Sequence, residues 1–222
     1  MKFLHLNPDV SFCTIGGRSV FLDIGRNRYL ALDPAAEAAF DRFRQSRHPA
    51  AGTDPDTARL LATKLFTLAD NWQPILPVDV EIPDRELTAP SSAPPLRPFD
   101  VLEIWMLIAR ARRALSRHAL KPLLEALKRH RLAVTAPVPA VDTAGLAGRF
   151  RKARALVPIA PSCLQDSIAL GIWLARRSSR PTIVFGVKLD PFAAHCWVQT
   201  EAAILNDAPD TVSQFAPVLV IL

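Results

Sequence analysis

Between residues 10 and 32 apolar and polar positions alternate in three short runs separated by turn residues. Val10-Ser11-Phe12-Cys13-Thr14-Ile15 is the first, Gly16-Gly17 supplies a turn that tolerates positive φ, and Arg18 to Ile24 resumes β-rich sequence. Gly25-Arg26-Asn27 makes a second turn before Arg28 to Leu32, so the pattern predicts a small antiparallel meander. The period then changes. Asp33 reads as an N-cap with Pro34 at the first helical position, opening a helix to about Arg44 with Phe40 and Phe43 on its buried face. A second helix is predicted from Thr57 to Ala69, where Leu60, Leu61, Leu65 and Leu68 form an apolar stripe broken by Lys64.

Three strands followed by helices describe a small winged-helix-like unit over residues 1–82. Residues 83–98 carry Pro83, Pro90, Pro94, Pro95 and Pro98 among Ser and Thr, the composition of an extended, semi-rigid spacer. From residue 99 to 222 a second body is predicted. Its helices are Phe99 to Ser116, Leu120 to Arg131, Gly145 to Val157 and Ser162 to Arg177. Strands follow at Thr182 to Leu189, Ala194 to Thr200 and Ala203 to Leu205, and the tail from Val212 to Leu222 adds another, with Pro217 marking an edge or bulge. The fold class is α+β.

Composition narrows the partners. A chain of 222 residues that is 50% hydrophobic can bury two small cores and is not disordered. Its longest apolar runs, Ile104 to Ala109 and Pro217 to Leu222, fall far short of a membrane span, and the start from Met1 to Pro8 is too short for a secretory signal. Cys13, Cys163 and Cys196 are too scattered for a disulfide framework, so a reducing, cytoplasmic setting is expected. Charge is uneven: 10 Lys and Arg against 12 Asp and Glu up to Glu86, then 17 against 9. Arg110, Arg112, Arg113, Arg117, Lys121, Lys128, Arg129 and Arg131 face one acid, Glu125, and a solvated basic face is the first reading. The pI near 9.7 suits nucleic acid, but no reading motif or stacking pattern accompanies it, so no nucleic-acid partner is expected.

The candidate chemistry centres on Cys163. Pro161-Ser162-Cys163-Leu164-Gln165 reads as a helix start, with Ser162 as N-cap and Gln165 completing a capping box. Cys163 then sits in the first turn, where unpaired amides and the helix dipole favour a thiolate. His195 lies on a strand whose alternation puts it with Trp197 and Gln199, opposite Cys196 and Val198. Asp207 follows the next short strand at a turn marked by Asn206 and Pro209, close enough in the chain to fix the imidazole tautomer. A lone cysteine is usually an inert core thiol, and Cys13 and Cys196 are read that way. His195 and Cys196 point oppositely and no CxxC pair exists, so no metal site is expected. His5, His48, His118 and His130 read as solvent-facing or capping groups, and Trp72, Trp105 and Trp173 as core anchors.

The order Cys, His, Asp on helix start, strand and next strand end resembles papain-like and transglutaminase-like folds. More closely, Cys163-Leu164-Gln165-Asp166-Ser167, Phe185-Gly186-Val187, Asp190-Pro191-Phe192-Ala193-Ala194-His195-Cys196-Trp197-Val198 and Leu205-Asn206-Asp207 resemble the lasso-peptide B protein. Many relatives have a basic residue where this chain has Asp166, and a commoner alanine where it has Cys196. The resemblance implies a transglutaminase-like cysteine peptidase that removes the leader from a lasso precursor, with Cys163, His195 and Asp207 as its triad. It also implies a leader-recognition element fused in front, similar to a small winged-helix protein of quinone-cofactor biosynthesis. There the leader adds to the edge of the third strand beside a helix. Here those positions are Tyr29, Leu30, Ala31 and Leu32, with Leu61, Lys64 and Leu65 on the helix.

The implied partners are the precursor peptide and an asparagine-synthetase-like cyclase. The implied cofactor is ATP, for which no GxxxxGK[ST] loop is present. Two other readings stay open: a transglutaminase-like acyltransferase, which shares the triad, and a non-catalytic peptide-binding module.

Overall fold

A strand that the alternation did not announce opens the chain. In the computed structural model, which describes residues 1–45, 49–50, 54–86, 95–117, 120–132 and 142–221, β1 (Phe3–Leu6) precedes the meander. The chain divides into two compact units, Met1–Asp79 and Val80–Leu222. His48, His118 and residues 87–94 of the proline-rich segment lie outside the described residues, as do the side chains of His130 and Arg131.

In the first unit β2 (Val10–Ile15), β3 (Arg18–Asp23) and β4 (Arg28–Ala31) form an antiparallel sheet in that order, so β4 is its outer strand and pairs with β3. Gly16 and Gly17 both take positive φ in the first turn, as the alternation requires. Helix α1 (Pro34–Gln45) follows, and the Asp33 carboxylate accepts the amides of Ala35 and Ala36 at 3.0 Å. Phe12, Phe21, Phe40 and Phe66 pack with ring centroids 5.2 to 5.6 Å apart and anchor the core.

Helix α2 (Pro55–Ala62) is shorter than its apolar stripe predicts. Asp54 caps it by accepting from the amide and hydroxyl of Thr57 at 3.0 and 2.9 Å, and Lys64, in the left-handed region at φ 62°, ends it. Phe66–Ala69 then becomes β5, pairing antiparallel with β1. The stripe misleads because Leu65, buried in the core, and Leu68, partly buried on a strand against it, also fall at helical spacing. Of the predicted helical positions Leu61, Lys64 and Leu65, only Leu61 is on α2, and Leu65 is 1% exposed.

The second unit contains α3 (Pro98–Leu115), α4 (Leu120–Leu132), α5 (Thr143–Arg154), α6 (Cys163–Ala175), β6 (Thr182–Lys188), β7 (Ala193–Gln199), α7 (Pro209–Val212) and β8 (Ala216–Ile221). Its antiparallel sheet runs β7-β6-β8, and α6 packs against it. Pro217 lies on the edge strand β8, opposite a register shift between Phe185 and Gly186, as proline requires. Ala203 to Leu205 does not form a strand. Two isolated bridges at Ile204 remain, to Gln199 and to Glu86, because the amide of Val198 is taken by the Asn206 side chain at 2.8 Å, which ends the ladder.

Residues 80–86, which the proline pattern divides between first body and spacer, lie along the second unit. Val80 and Ile82 pack against a cluster of Val184, Trp197, Ile204, Val212 and Phe215. The Glu81 carbonyl accepts from Gln199 Nε2 at 2.7 Å, and the Arg85 carbonyl accepts from Ile204 N–H at 3.0 Å. The alternating Val80 and Ile82 supply the apolar anchors that the prolines conceal.

The basic helices are not uniformly solvated. Arg149 on α5 donates to both oxygens of Asp100 on α3 at 2.6 Å in the interior, and the Arg177 guanidinium lies 3.8 Å from the Trp173 ring centroid. Trp105, expected in the core, is 44% exposed on α3. Burial works against the Asp100 carboxylate, yet Arg149, the Arg97 amide and Arg177 together hold it below the usual carboxylate range. An acid so depressed stabilises the fold above the carboxylate range of the unfolded chain, and loses that contribution as pH falls through its folded value. Asp100→Asn is expected to destabilise this unit by about 3 kcal/mol at neutral pH, read as a lowered urea midpoint with unchanged slope, because it strands the Arg149 cation.

Candidate active site

Helix α6 starts on Cys163 because Ser162 is extended, at φ −148° and ψ 123°, and the preceding segment cannot continue the helical turn. Ser162 is the N-cap residue but its hydroxyl makes no capping bond, so the expected capping box with Gln165 does not form. Asp166 takes that role. Its Oδ2 accepts the Ser162 amide at 3.2 Å, while Oδ1 accepts from Arg154 Nε at 2.8 Å. The arginine fixes the carboxylate one turn into the helix, which leaves Cys163 exposed at the N-terminal amides.

The histidine is set by β7. His195 pairs with Gly186 of β6, and its ring stacks toward Trp197 (centroids 6.2 Å) and packs against Phe215 (5.0 Å). Gly186 has to be glycine, since a Cβ there would lie 2.7 Å from the Trp197 ring and 2.8 Å from Phe215 Cβ. Trp197 is anchored below the imidazole: its Nε1 donates to Gln199 Oε1 at 2.7 Å, and Gln199 donates onward to the Glu81 carbonyl.

Asp207 is placed by its neighbour. Asn206 accepts from the Val198 amide and donates to Ser167 Oγ at 2.9 Å, and Ser167 donates to the Cys196 carbonyl at 2.8 Å. That buried network ties the turn after β7 to α6. From there Asp207 Oδ2 meets His195 Nε2 at 2.5 Å, and its Oδ1 accepts the Ala208 amide at 2.8 Å. With Nε2 committed, Nδ1 is the ring nitrogen left for the sulfur, and Cys163 and His195 share a hydrogen bond.

The electrostatics follow. The hydrogen bond to His195 lowers the Cys163 pKa despite partial burial, helped by the imidazolium charge and the amides of Cys196 and Leu164. The same bond raises His195; burial opposes this, and Asp207 adds to it. A thiolate–imidazolium pair is the arrangement these groups favour. By contrast, burial pushes the Cys196 thiol far up, and drives Cys13 up to about 11, so both are inert core thiols.

Residues 104–220 match the family model of the transglutaminase-like superfamily. The chain belongs to that superfamily. No curated protein and no solved structure matches the chain. All three members of the Cys163–His195–Asp207 constellation lie inside the transglutaminase-like region, and the first unit lies outside it. Among the described residues no helix is long and apolar enough to cross a membrane.

Beside Asp207 the transglutaminase-like unit has a cleft of about 250 Å³, floored by Phe150, Leu170 and Leu205 and edged by Arg151, Arg154 and Asp166. The positions expected to bind a peptide leader are all in the other unit. Tyr29, Leu30 and Ala31 are on edge strand β4, Leu32 follows it, and Leu61 is partly buried on α2. Asn206, Ser167, Gln199, Gly186, Arg154 and Asp166 shape the site without having been picked out for it. Asn206 was legible only as a turn former and Arg154 only as one more basic residue, because their partners are 39 and 12 residues away.

Proposed function

We propose that this chain is a leader peptidase of lasso-peptide biosynthesis, cleaving the precursor at the leader–core junction. The observation that carries the reading is the meeting of Cys163, His195 and Asp207 at the start of α6, within a transglutaminase-like domain. The Cys163 thiolate attacks the scissile carbonyl, and the helix-start amides favour the charge. His195 Nδ1–H protonates the departing core amine, leaving the leader as a thioester on sulfur. Water, deprotonated by His195, then releases the leader carboxylate and regenerates the thiolate beside the imidazolium. Asp207 holds the imidazole through Nε2 in both steps.

The first unit supports leader capture through β4, the outer strand of the β2-β3-β4 sheet, a position that suits strand addition by a variable peptide. The adjoining contacts come from Tyr29 to Leu32 and from Leu61. Capture on the same chain raises the effective concentration of the cleavage site, to about the mM range for a short flexible link. The freed core amine passes to an asparagine-synthetase-like cyclase. ATP enters as a family expectation, so cleavage is to be assayed with and without it.

The test is product analysis of the full chain incubated with a synthetic precursor peptide. The expected product is a leader fragment ending in a free carboxylate, with the core amine unblocked. An amide adduct formed with an added primary amine points to acyl transfer, the alternative open to this superfamily. Tight leader binding with no product at all points to a binding module.

A further inference from the structure

Arg154 reaches from α5 across the segment that feeds the nucleophile. Its Nε bonds Asp166, and its two terminal nitrogens donate to the carbonyls of Val157 (3.3 Å) and Ile159 (2.9 Å). The side chain is only 13% exposed, and Asp166 is 19% exposed. One guanidinium therefore spans the whole approach from residue 154 to the first turn of α6. Its carboxylate partner returns the hold by accepting the Ser162 amide.

Asp166 is three residues beyond Cys163, so the two lie on one face of the helix. A carboxylate there opposes a thiolate, unless its charge is matched. The titratable and charged groups on the elements that meet at the helix start are His195 and Cys196 from β7, Asp207 behind His195, Asp166 one turn along the same helix, and Arg154 from α5, which reaches Asp166. The helix start and its neighbours then carry two cations and two carboxylates, and removing Arg154 tips that balance toward negative. Like charges this near disfavour each other's ionisation.

We propose that Arg154 is a positioning residue for Cys163, fixing the helix start through Asp166 and cancelling that carboxylate's charge beside the sulfur. This rests on the reading of Cys163 as nucleophile.

The experiment measures iodoacetamide alkylation of the full chain against pH, with Cys163 followed by peptide mass spectrometry. Arg154→Gln is expected to raise the alkylation midpoint by about one pH unit, slowing alkylation below the midpoint about tenfold. Arg154→Lys keeps the charge and the wild-type midpoint. Asp166→Asn moves the midpoint the other way, down, while its amide oxygen still accepts the Ser162 N–H. The neutral pair Arg154→Gln with Asp166→Asn returns the midpoint to wild type, which a purely structural role would not do. An unchanged midpoint in Arg154→Gln, a midpoint in Asp166→Asn that stays or rises, or a double variant as displaced as Arg154→Gln overturns the proposal. Where circular dichroism shows that Arg154→Gln has not folded, Asp166→Asn carries the test alone. A wild-type midpoint in the ordinary thiol range is a different failure, and overturns the triad reading instead.

Discussion

Cys163→Ala is expected to abolish cleavage of a leader-bearing peptide, by about 10⁴-fold or more, while leaving leader binding and the folded state intact. The sulfur is exposed and is the first residue of α6, so its removal opens no core cavity and breaks no backbone bond. Single-turnover cleavage followed by mass spectrometry, beside leader affinity from fluorescence anisotropy, separates the two roles. Residual cleavage within tenfold of wild type means that another group does the chemistry, and the triad assignment fails.

His195→Ala is expected to reduce cleavage about 10³-fold and to change the shape of its pH dependence. In the wild type the competent pair exists where Cys163 has lost its proton and His195 still holds one. Since the thiol is lowered and the imidazole raised, cleavage rises as pH climbs through the thiol value and falls as it passes the imidazole value. Without the imidazole, the thiol midpoint returns toward the ordinary range and the alkaline fall disappears. A variant that keeps both limbs in place would show that His195 titrates without acting.

The elements most legible in the sequence were those with strong local chemistry. Gly16-Gly17 and Asp33-Pro34 fixed a turn and a cap by their own backbone preferences, and both formed where expected. The meeting of Cys163, His195 and Asp207 was legible because each stands at an element boundary or on an alternating strand. The failures share a cause: a partner distant in sequence. Residues Phe66–Ala69 look helical until β1 pairs with them, and Ser162 looks like a capping serine until Arg154 delivers Asp166. Ala203 to Leu205 reads as a strand until an asparagine side chain takes the ladder's amide. Local propensity cannot register such competitors.

The Glu81–Gln199–Trp197 chain bears on where the protein can be cut. A fragment begun at residue 99, where the proline-rich composition invites a boundary, loses the carbonyl that seats Gln199 and the Val80 and Ile82 side chains that flank Trp197. The tryptophan under the imidazole is then free to tilt. An excised half starting at Val80 keeps that support, so residues 80–82, just ahead of the first proline of the spacer, decide whether the truncated unit inherits a seated histidine.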